Sequence, residues 1–236
     1  MAFTHSHKED EIKSVFFYEK PKEFSLLDLV SYNIDENNYF TYSRQQNLDI
    51  LGKIGTVTMM RIFEKEEYHD QIFECIAFFL IEISKVCNIE DENLVEDLFA
   101  IDQLMHGVEV AREKGESKSI IGLTYGACML IIASVEKLLR LIYKHENGII
   151  ITGKQFQLHP LLENKEIETV LSEDLMKEAG FFLSKYGYIG CDYRNRLAHL
   201  SDITLNEISW SLPFTLFFLY FCIVNSIFLY YCKKAE

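Results

Sequence analysis

The chain has 236 residues, a length that one hydrophobic core can serve, so an arrangement of several independent domains is disfavoured. Its formal net charge is −13, which argues against a protein that covers nucleic acid through a broad basic surface. Only 3 prolines and 11 glycines interrupt the apolar runs of a chain that is 49% hydrophobic, and those runs have helical spacing. The composition therefore predicts an all-α fold.

Residues 1–60 are predicted to form an accessory segment in front of a helical domain that covers 61–236. The segment mixes polar and aromatic residues, and no function is assigned to it. Over 42–63 the apolar positions recur every three residues, which predicts a helix that Gly52 and Gly55 weaken.

The middle of the chain has the periodicity of amphipathic helices. The strongest pattern lies before Gly148, which is predicted to end its helix as a C-terminal cap. The short apolar runs on either side of Gly153 are predicted to make a small β-hairpin. The predicted helices are 67–87, 93–112, 118–145, 160–171 and 173–186.

The negative charge is unevenly distributed. Residues 61–118 hold 15 acids and 6 bases, whereas 119–236 hold 12 acids and 11 bases. A local basic pocket in the second half can therefore still bind RNA. The acidic segment 61–118 would either repel nucleic acid or dock a basic partner, and we expect it to lie away from an RNA site.

The run from Arg194 through Asn195 to His199 carries the clearest chemical signal. On a helix, Asn195 and His199 are four positions apart and share a face, while Arg194 projects to one side. Arginine can hold two phosphate oxygens, imidazole can move a proton near neutral pH, and an amide can orient either group. The set suits binding and cleavage of a phosphodiester, although an ordinary surface helix can carry the same spacing. Asp192 is predicted to cap this helix by accepting backbone N–H groups.

With the glycine-rich approach Gly187 to Gly190 and the following Leu197-Ala198-His199, this pattern resembles the HEPN proteins. The nearest resemblance is to a largely uncharacterised bacterial subgroup with an RN…AH core and a long apolar final helix. It covers about residues 156–232 and departs at Leu200, where that subgroup usually has a glycine. It implies a HEPN-type helical bundle.

The resemblance also implies a metal-independent endoribonuclease without a cofactor, in which the ribose 2′-OH attacks the adjacent phosphate. His199 would move the proton, Arg194 would stabilise charge on the phosphorane, and Asn195 would orient the pair or contact phosphate. Family members usually pair two copies of the motif across a homodimer. A toxin or phage-defence role follows by the same resemblance, with an antitoxin or defence-system protein as a further partner. The alternative is a non-catalytic HEPN scaffold that binds a nucleotide, RNA or a protein partner, with the acidic segment 61–118 as its docking surface.

The final apolar stretch, 208–232, contains no charged side chain and is long enough to cross a bilayer. A capping box at Thr204 to Glu207 is predicted to start its helix. Membrane insertion is the less favoured reading, because the stretch includes Asn225 and Ser226 and no second segment is similarly apolar. The favoured reading is a buried helix that faces its own core on one side and a second subunit on the other.

The remaining cysteines and histidines carry weaker signals. The six cysteines form no C-x-x-C pair and lie in apolar segments, which favours reduced, buried thiols in a cytoplasmic protein. His106 and Glu109 have helical spacing but lack a third ligand, so no metal site is predicted. The other histidines are interpreted as solvated or structural: His5, His7, His69, His145 and His159.

Overall fold

The computed structural model describes residues 55–88, 93–148, 158–184, 191–199 and 208–235. All regular structure within these ranges is helical, with no strand, and the predicted all-α class is confirmed. The predicted hairpin around Gly153 and the turn at Gly187 to Gly190 lie outside the described residues. The same holds for most of the predicted accessory segment.

Several of the described helices follow one another with short connections. Three of the predicted central helices begin and end within about two residues of their predicted limits, whereas the segment predicted at 160–171 is divided by a turn at Glu163 and Asn164. The helices are α1 (55–63), α2 (Glu66–Cys87), α3 (Leu94–Glu113), α4 (Ser117–Asn147), α5 (Leu158–Leu162), α6 (Lys165–Leu171), α7 (Glu173–Leu183), α8 (Tyr193–His199) and α9 (Leu212–Ala235).

Local chemistry explains where several of these helices end. Gly148 has φ 64°, and its N–H bonds to the carbonyl of Lys144, so it caps α4 as predicted. The Asn164 side chain accepts the N–H of Ile167 at the start of α6. Ser172, at φ 70°, ends α6 and accepts the N–H of Leu175 at the start of α7, so one residue separates two helices.

Helix α4 lies at the centre and presents three faces. At 3.6 residues per turn the face against α8 lies about a third of a turn from the face against α3 and about a fifth of a turn from the core face. Glycines allow α3 to approach closely, because a Cβ on Gly107 would be 3.3 Å from the Leu123 side chain and one on Gly126 would be 3.6 Å from Leu104. The face against α3 includes Leu123, Gly126 and Lys137, the core face includes Cys128, Val135 and Leu139, and the face against α8 includes Tyr125 and Glu136.

Helix α9 starts later than predicted. Residues 208–211 form a bend and turn, and the helix begins at Leu212, so the prediction that the capping box at Thr204 to Glu207 starts it is wrong. Pro213 supplies the reason. A proline is tolerated in the first turn of a helix, where its missing N–H has no role, but in a helix that began further upstream its ring would clash with the carbonyl four residues earlier.

The body of α9 is buried within a single chain. It packs against α2, α4, α6 and α7, and 89% of its most apolar stretch is buried. The second subunit expected on one side is therefore not needed to cover this helix. By length and composition both α9 and α4 could cross a membrane, so the premise that no second segment is similarly apolar is wrong.

Helix α1 belongs to the same core as the helices that follow it. Met59 is 1% exposed, and the Phe63 ring meets Phe214 and Phe217 edge to face at 5.4 and 5.8 Å. The predicted boundary at residue 60 therefore falls inside a packed helix.

Candidate functional site

The motif helix α8 is anchored to α4 and α7. Before it, the Cys191 N–H donates to the Phe181 carbonyl at 2.7 Å. Leu197 is fully buried, and the Tyr125 hydroxyl donates to its carbonyl at 3.4 Å. These contacts attach α8 to α4 and α7, with the first turn of α8 near Glu136.

Arg194 forms an ion pair with a residue that the sequence analysis did not single out. Its Nε donates to Oε1 of Glu136 at 3.0 Å, and its Nη1 donates to Oδ1 of Asn195 at 2.9 Å. The Arg194 side chain is one-third exposed, whereas the Glu136 side chain is 11% exposed. The guanidinium is thus held at two of its three nitrogens. No hydrogen bond within the described part of the chain uses its Nη2 group.

Glu136 joins two arginines. Its second oxygen, Oε2, accepts Nη2 of Arg140 at 2.9 Å, one helical turn along α4. A carboxylate removed from water is stabilised when cations pair with both of its oxygens. Two guanidinium groups therefore lie on one carboxylate, and their combined charge exceeds its own.

Asn195 extends this arrangement to the start of the helix. Its Nδ2 donates to Oδ1 of Asp192 at 2.9 Å while its Oδ1 accepts from Arg194. The predicted capping role of Asp192 is corrected here, since its carboxylate accepts a side-chain amide instead of backbone N–H groups. The Asp192 carbonyl accepts the first helical hydrogen bond, from Arg196 N at 3.0 Å, and Asp192 has φ 51°. Aspartate is among the few non-glycine residues that adopt this left-handed conformation readily.

His199 is exposed at the end of α8 and forms no hydrogen bond or ion pair with any described residue. Five residues along an α-helix correspond to about 140° of rotation and about 7.5 Å of rise. The Cα–Cβ bonds of His199 and Arg194 therefore point to different sides of α8. Within one chain the site consists of an oriented guanidinium, an amide that supports it, and a separately placed imidazole.

The structure brings together a second polar cluster that sequence spacing did not reveal. His69 Nε2 lies 2.7 Å from Oδ1 of Asp102, and its Nδ1 lies 3.3 Å from Oδ1 of Asp70. The hydrogen bond to Asp102 raises the pKa of His69. The ring packs between Phe63 and Phe73 beside a cleft of about 600 Å³. Asp102 is 33 positions away on α3, so no local motif could have found the pair.

Of the other histidines that the structure describes, His145 and His159 lie apart from both clusters, whereas His106 lines the cleft beside His69. His159 Nε2 is 3.5 Å from Glu163, and the His145 ring meets Tyr231 edge to face. His106 is exposed, and burial raises the pKa of Glu109 nearby. Within the described ranges no group of three histidine, cysteine or carboxylate side chains is placed to hold a metal ion.

The cysteines divide between the core and the surface. Burial raises the pKa of Cys75 to about 12, since the thiolate would lose its hydration there. Cys191 is half-buried and Cys232 is exposed, and none of the six forms a disulfide. The interpretation as buried thiols is confirmed for Cys75, Cys87, Cys128 and Cys222.

Comparison with known proteins yields no match: no family model, no curated protein and no solved structure is similar to this chain. The geometry around α8, together with the motif from Arg194 to His199, is therefore the basis for a functional conclusion.

Proposed function

We propose that this protein is a metal-independent, cytoplasmic endoribonuclease of the HEPN type that acts as a toxin or a phage-defence effector. The observation that carries the proposal is the fixed guanidinium of Arg194. Glu136 and Asn195 hold its Nε and Nη1 groups, and the two N–H donors of Nη2 are left to bind phosphate oxygens. An arginine that is already oriented loses less freedom when it binds the transition state.

The proposed reaction is an internal transfer at phosphorus. The 2′-OH loses its proton, its oxygen forms a bond to phosphorus, and the bond from phosphorus to the 5′-oxygen breaks. A proton is delivered to that leaving oxygen, so the products carry a 2′,3′-cyclic phosphate and a 5′-OH. His199 transfers protons, Arg194 stabilises charge on the phosphorane, and Asn195 keeps Arg194 in place.

Two chains are required in this mechanism. His199 and Arg194 of one chain project about 140° apart around α8, so they do not converge on one phosphate from the helix alone. Pairing two α8 helices in a homodimer would set the Arg194 of one chain beside the His199 of the other. The uncharged surface of α9 no longer supports such a dimer, because its own chain covers it. The geometry of α8 does support it.

Local charge is compatible with RNA binding. Arg194, Arg140 and Arg196 lie near the first turn of α8, against Glu136 and Asp192. The acidic helix α3 packs on a different face of α4, about a third of a turn away.

One observation favours the alternative of a non-catalytic scaffold. The ion pair with Glu136 offsets part of the positive charge of Arg194 in the absence of RNA. A protein that only binds a nucleotide, an RNA or a protein partner would use such a pair to hold α8 on α4. The two functions differ in whether product is formed.

The decisive experiment compares cleavage of a mixed RNA pool by wild type, Arg194→Ala and His199→Ala, with end-group analysis of the products. Each substitution should lower the rate by about a hundredfold or more, the usual scale for electrostatic and acid-base groups. His199→Asn should be nearly as damaging, and activity should persist in EDTA. His159→Ala, which removes an exposed histidine elsewhere, is the matched control.

Equal rates in all of these proteins, or 3′-OH ends that form only with added divalent metal, would lead us to abandon this mechanism for the scaffold. The homodimer is tested on the same preparation by sedimentation, where a monomer at micromolar concentration would contradict it. Retention in membranes after a carbonate wash, with release only by detergent, would contradict the buried reading of α9.

A further inference from the structure

An open groove of about 450 Å³ runs along α2 beside the first turns of α3. Its apolar wall includes two large side chains that remain well exposed, Ile81 at 43% and Phe99 at 56%. Phe73, Ala77 and Phe78 also line the groove, and they belong to the core or pack against it. Neighbouring exposed apolar side chains with a polar rim are typical of protein interaction sites.

The floor of this groove is part of the packed core. Phe73 stacks on Phe217 with ring centroids 5.0 Å apart, and the Phe78 ring meets Phe228 of α9 at 5.8 Å. The apolar wall is therefore preformed, and little ordering of the protein is needed before a partner binds.

The rim of the groove is acidic. Besides the two apolar anchors it contains four carboxylates and only two basic side chains, His69 and Lys85. Each base lies beside one of these carboxylates, Lys85 Nζ 2.6 Å from Glu82 and His69 Nε2 2.7 Å from Asp102, so two carboxylates remain in excess. A partner with positive charge is attracted to such a rim, and one with negative charge is repelled. The four carboxylates belong to Asp70, Glu74, Glu82 and Asp102.

We propose that this groove docks a basic amphipathic segment of a partner protein, with an apolar side chain seated between Ile81 and Phe99. Lining residues on α2 extend from His69 to Lys85, which corresponds to about 24 Å of helix. That length matches a docked helix of about four turns, whose apolar face would cover the wall and whose lysines or arginines would meet the carboxylates.

Charge makes the other occupants less suitable. Residues 1–54 of this chain contain more acids than bases, and a second copy carries the same net charge of −13. Either would bring negative charge to an acidic rim. The docking site is independent of the proposed RNA cleavage, because it lies on α2 and α3 and shares no residue with α8.

The test uses the full chain and three labelled peptides of about 18 residues, a length of about 27 Å as a helix. The first peptide has leucine and phenylalanine on one face and lysine on the other. The second replaces lysine with glutamate, and the third replaces the apolar residues with serine. Fluorescence anisotropy should show micromolar binding of the first peptide, and binding at least tenfold weaker for each of the others.

Matched variants locate the site. Phe99→Ala and Ile81→Ala should each weaken binding of the first peptide at least fivefold. Glu74→Lys should also weaken it, and the loss relative to wild type should grow as the salt concentration is lowered. Val86→Ala is the control, because Val86 is 47% exposed on the same helix and does not line the groove.

Three outcomes would overturn the proposal. The first is an equal loss of binding in Val86→Ala, and the second is binding of the glutamate peptide as tight as that of the lysine peptide. The third is evidence that the groove is already occupied. In that case Phe99→Ala without peptide would dissociate an oligomer in sedimentation, or would increase hydrogen exchange in residues 1–54.

Discussion

Nε of Arg194 lies 3.0 Å from Oε1 of Glu136, although 58 positions separate the two residues. This pair joins the motif helix to the central helix, and it fixes the direction of the guanidinium on which the proposed chemistry depends. Its two members differ in environment, since Glu136 is almost buried and Arg194 is one-third exposed.

Substituting Glu136→Gln should lower both stability and RNA cleavage. The amide keeps the shape of the side chain but removes the charge that holds two arginines, and hydrogen bonds to charged groups contribute about 1.5–3 kcal/mol. Partial exposure of Arg194 favours the lower end of that range. With Arg194 no longer fixed, cleavage should fall by about tenfold, mainly through kcat.

The control for this variant is Glu146→Gln. Glu146 also lies on α4 and pairs with a lysine, Lys234, at 2.9 Å. Urea unfolding and cleavage rates measure the two effects separately. If Glu146→Gln lowers cleavage as much as Glu136→Gln does, the loss reflects the stability of α4 and not the orientation of Arg194.

Periodicity was sufficient to predict the helices but not how they contact one another. The limits of α2, α3 and α4 follow from apolar spacing and from Gly148, which are local properties. The ion pair of Arg194 with Glu136 depends on how two helices cross, and sequence spacing does not report that. His69 likewise has no partner at helical spacing in the sequence, because Asp102, to which it hydrogen-bonds, lies on another helix.

Gly55 illustrates the same limit and gives a second prediction. Its spacing indicated only that it weakens a helix, yet a Cβ at this position would lie 2.6 Å from Cδ1 of Phe218. Gly55→Ala should therefore destabilise the protein by about 1–3 kcal/mol through overpacking. Gly122→Ala is the matched control, because nothing lies within 4 Å of its Cβ position on α4. It should stabilise by about 0.5–1 kcal/mol. Equal effects in urea unfolding would contradict the close approach of α1 to α9.

His69 predicts a stability difference that depends on pH. Its pKa is raised in the folded protein, first by the hydrogen bond to Asp102. A raised folded-state pKa stabilises the protonated form, so this contribution is complete below the ordinary histidine pKa of 6.5. It is lost as pH rises through the folded-state value. Asp102→Asn should therefore cost more stability at acidic pH than at alkaline pH.

Urea unfolding at about pH 5.5 and about pH 8.5 measures this difference. The double variant His69→Gln with Asp102→Asn should show the same small pH dependence as His69→Gln alone. A loss in Asp102→Asn that is equal at both pH values would show that the carboxylate acts only as a neutral packing group.

Asn225 of α9 destabilises the hydrophobic core. It is fully buried, and neither its Oδ1 nor its Nδ2 has a hydrogen-bond partner within the described structure. A buried polar group without a partner costs about 1–3 kcal/mol, so Asn225→Leu, which has the same branched arrangement of heavy atoms, should stabilise the protein by an amount in that range. The adjacent Ser226 donates to the Val170 carbonyl at 3.2 Å and provides the opposite case. Ser226→Ala should destabilise by about 1 kcal/mol, because it leaves that carbonyl unpaired. Thermal and urea unfolding of the two variants give the comparison. A destabilised Asn225→Leu would mean that the Asn225 amide has a partner that the described residues do not supply.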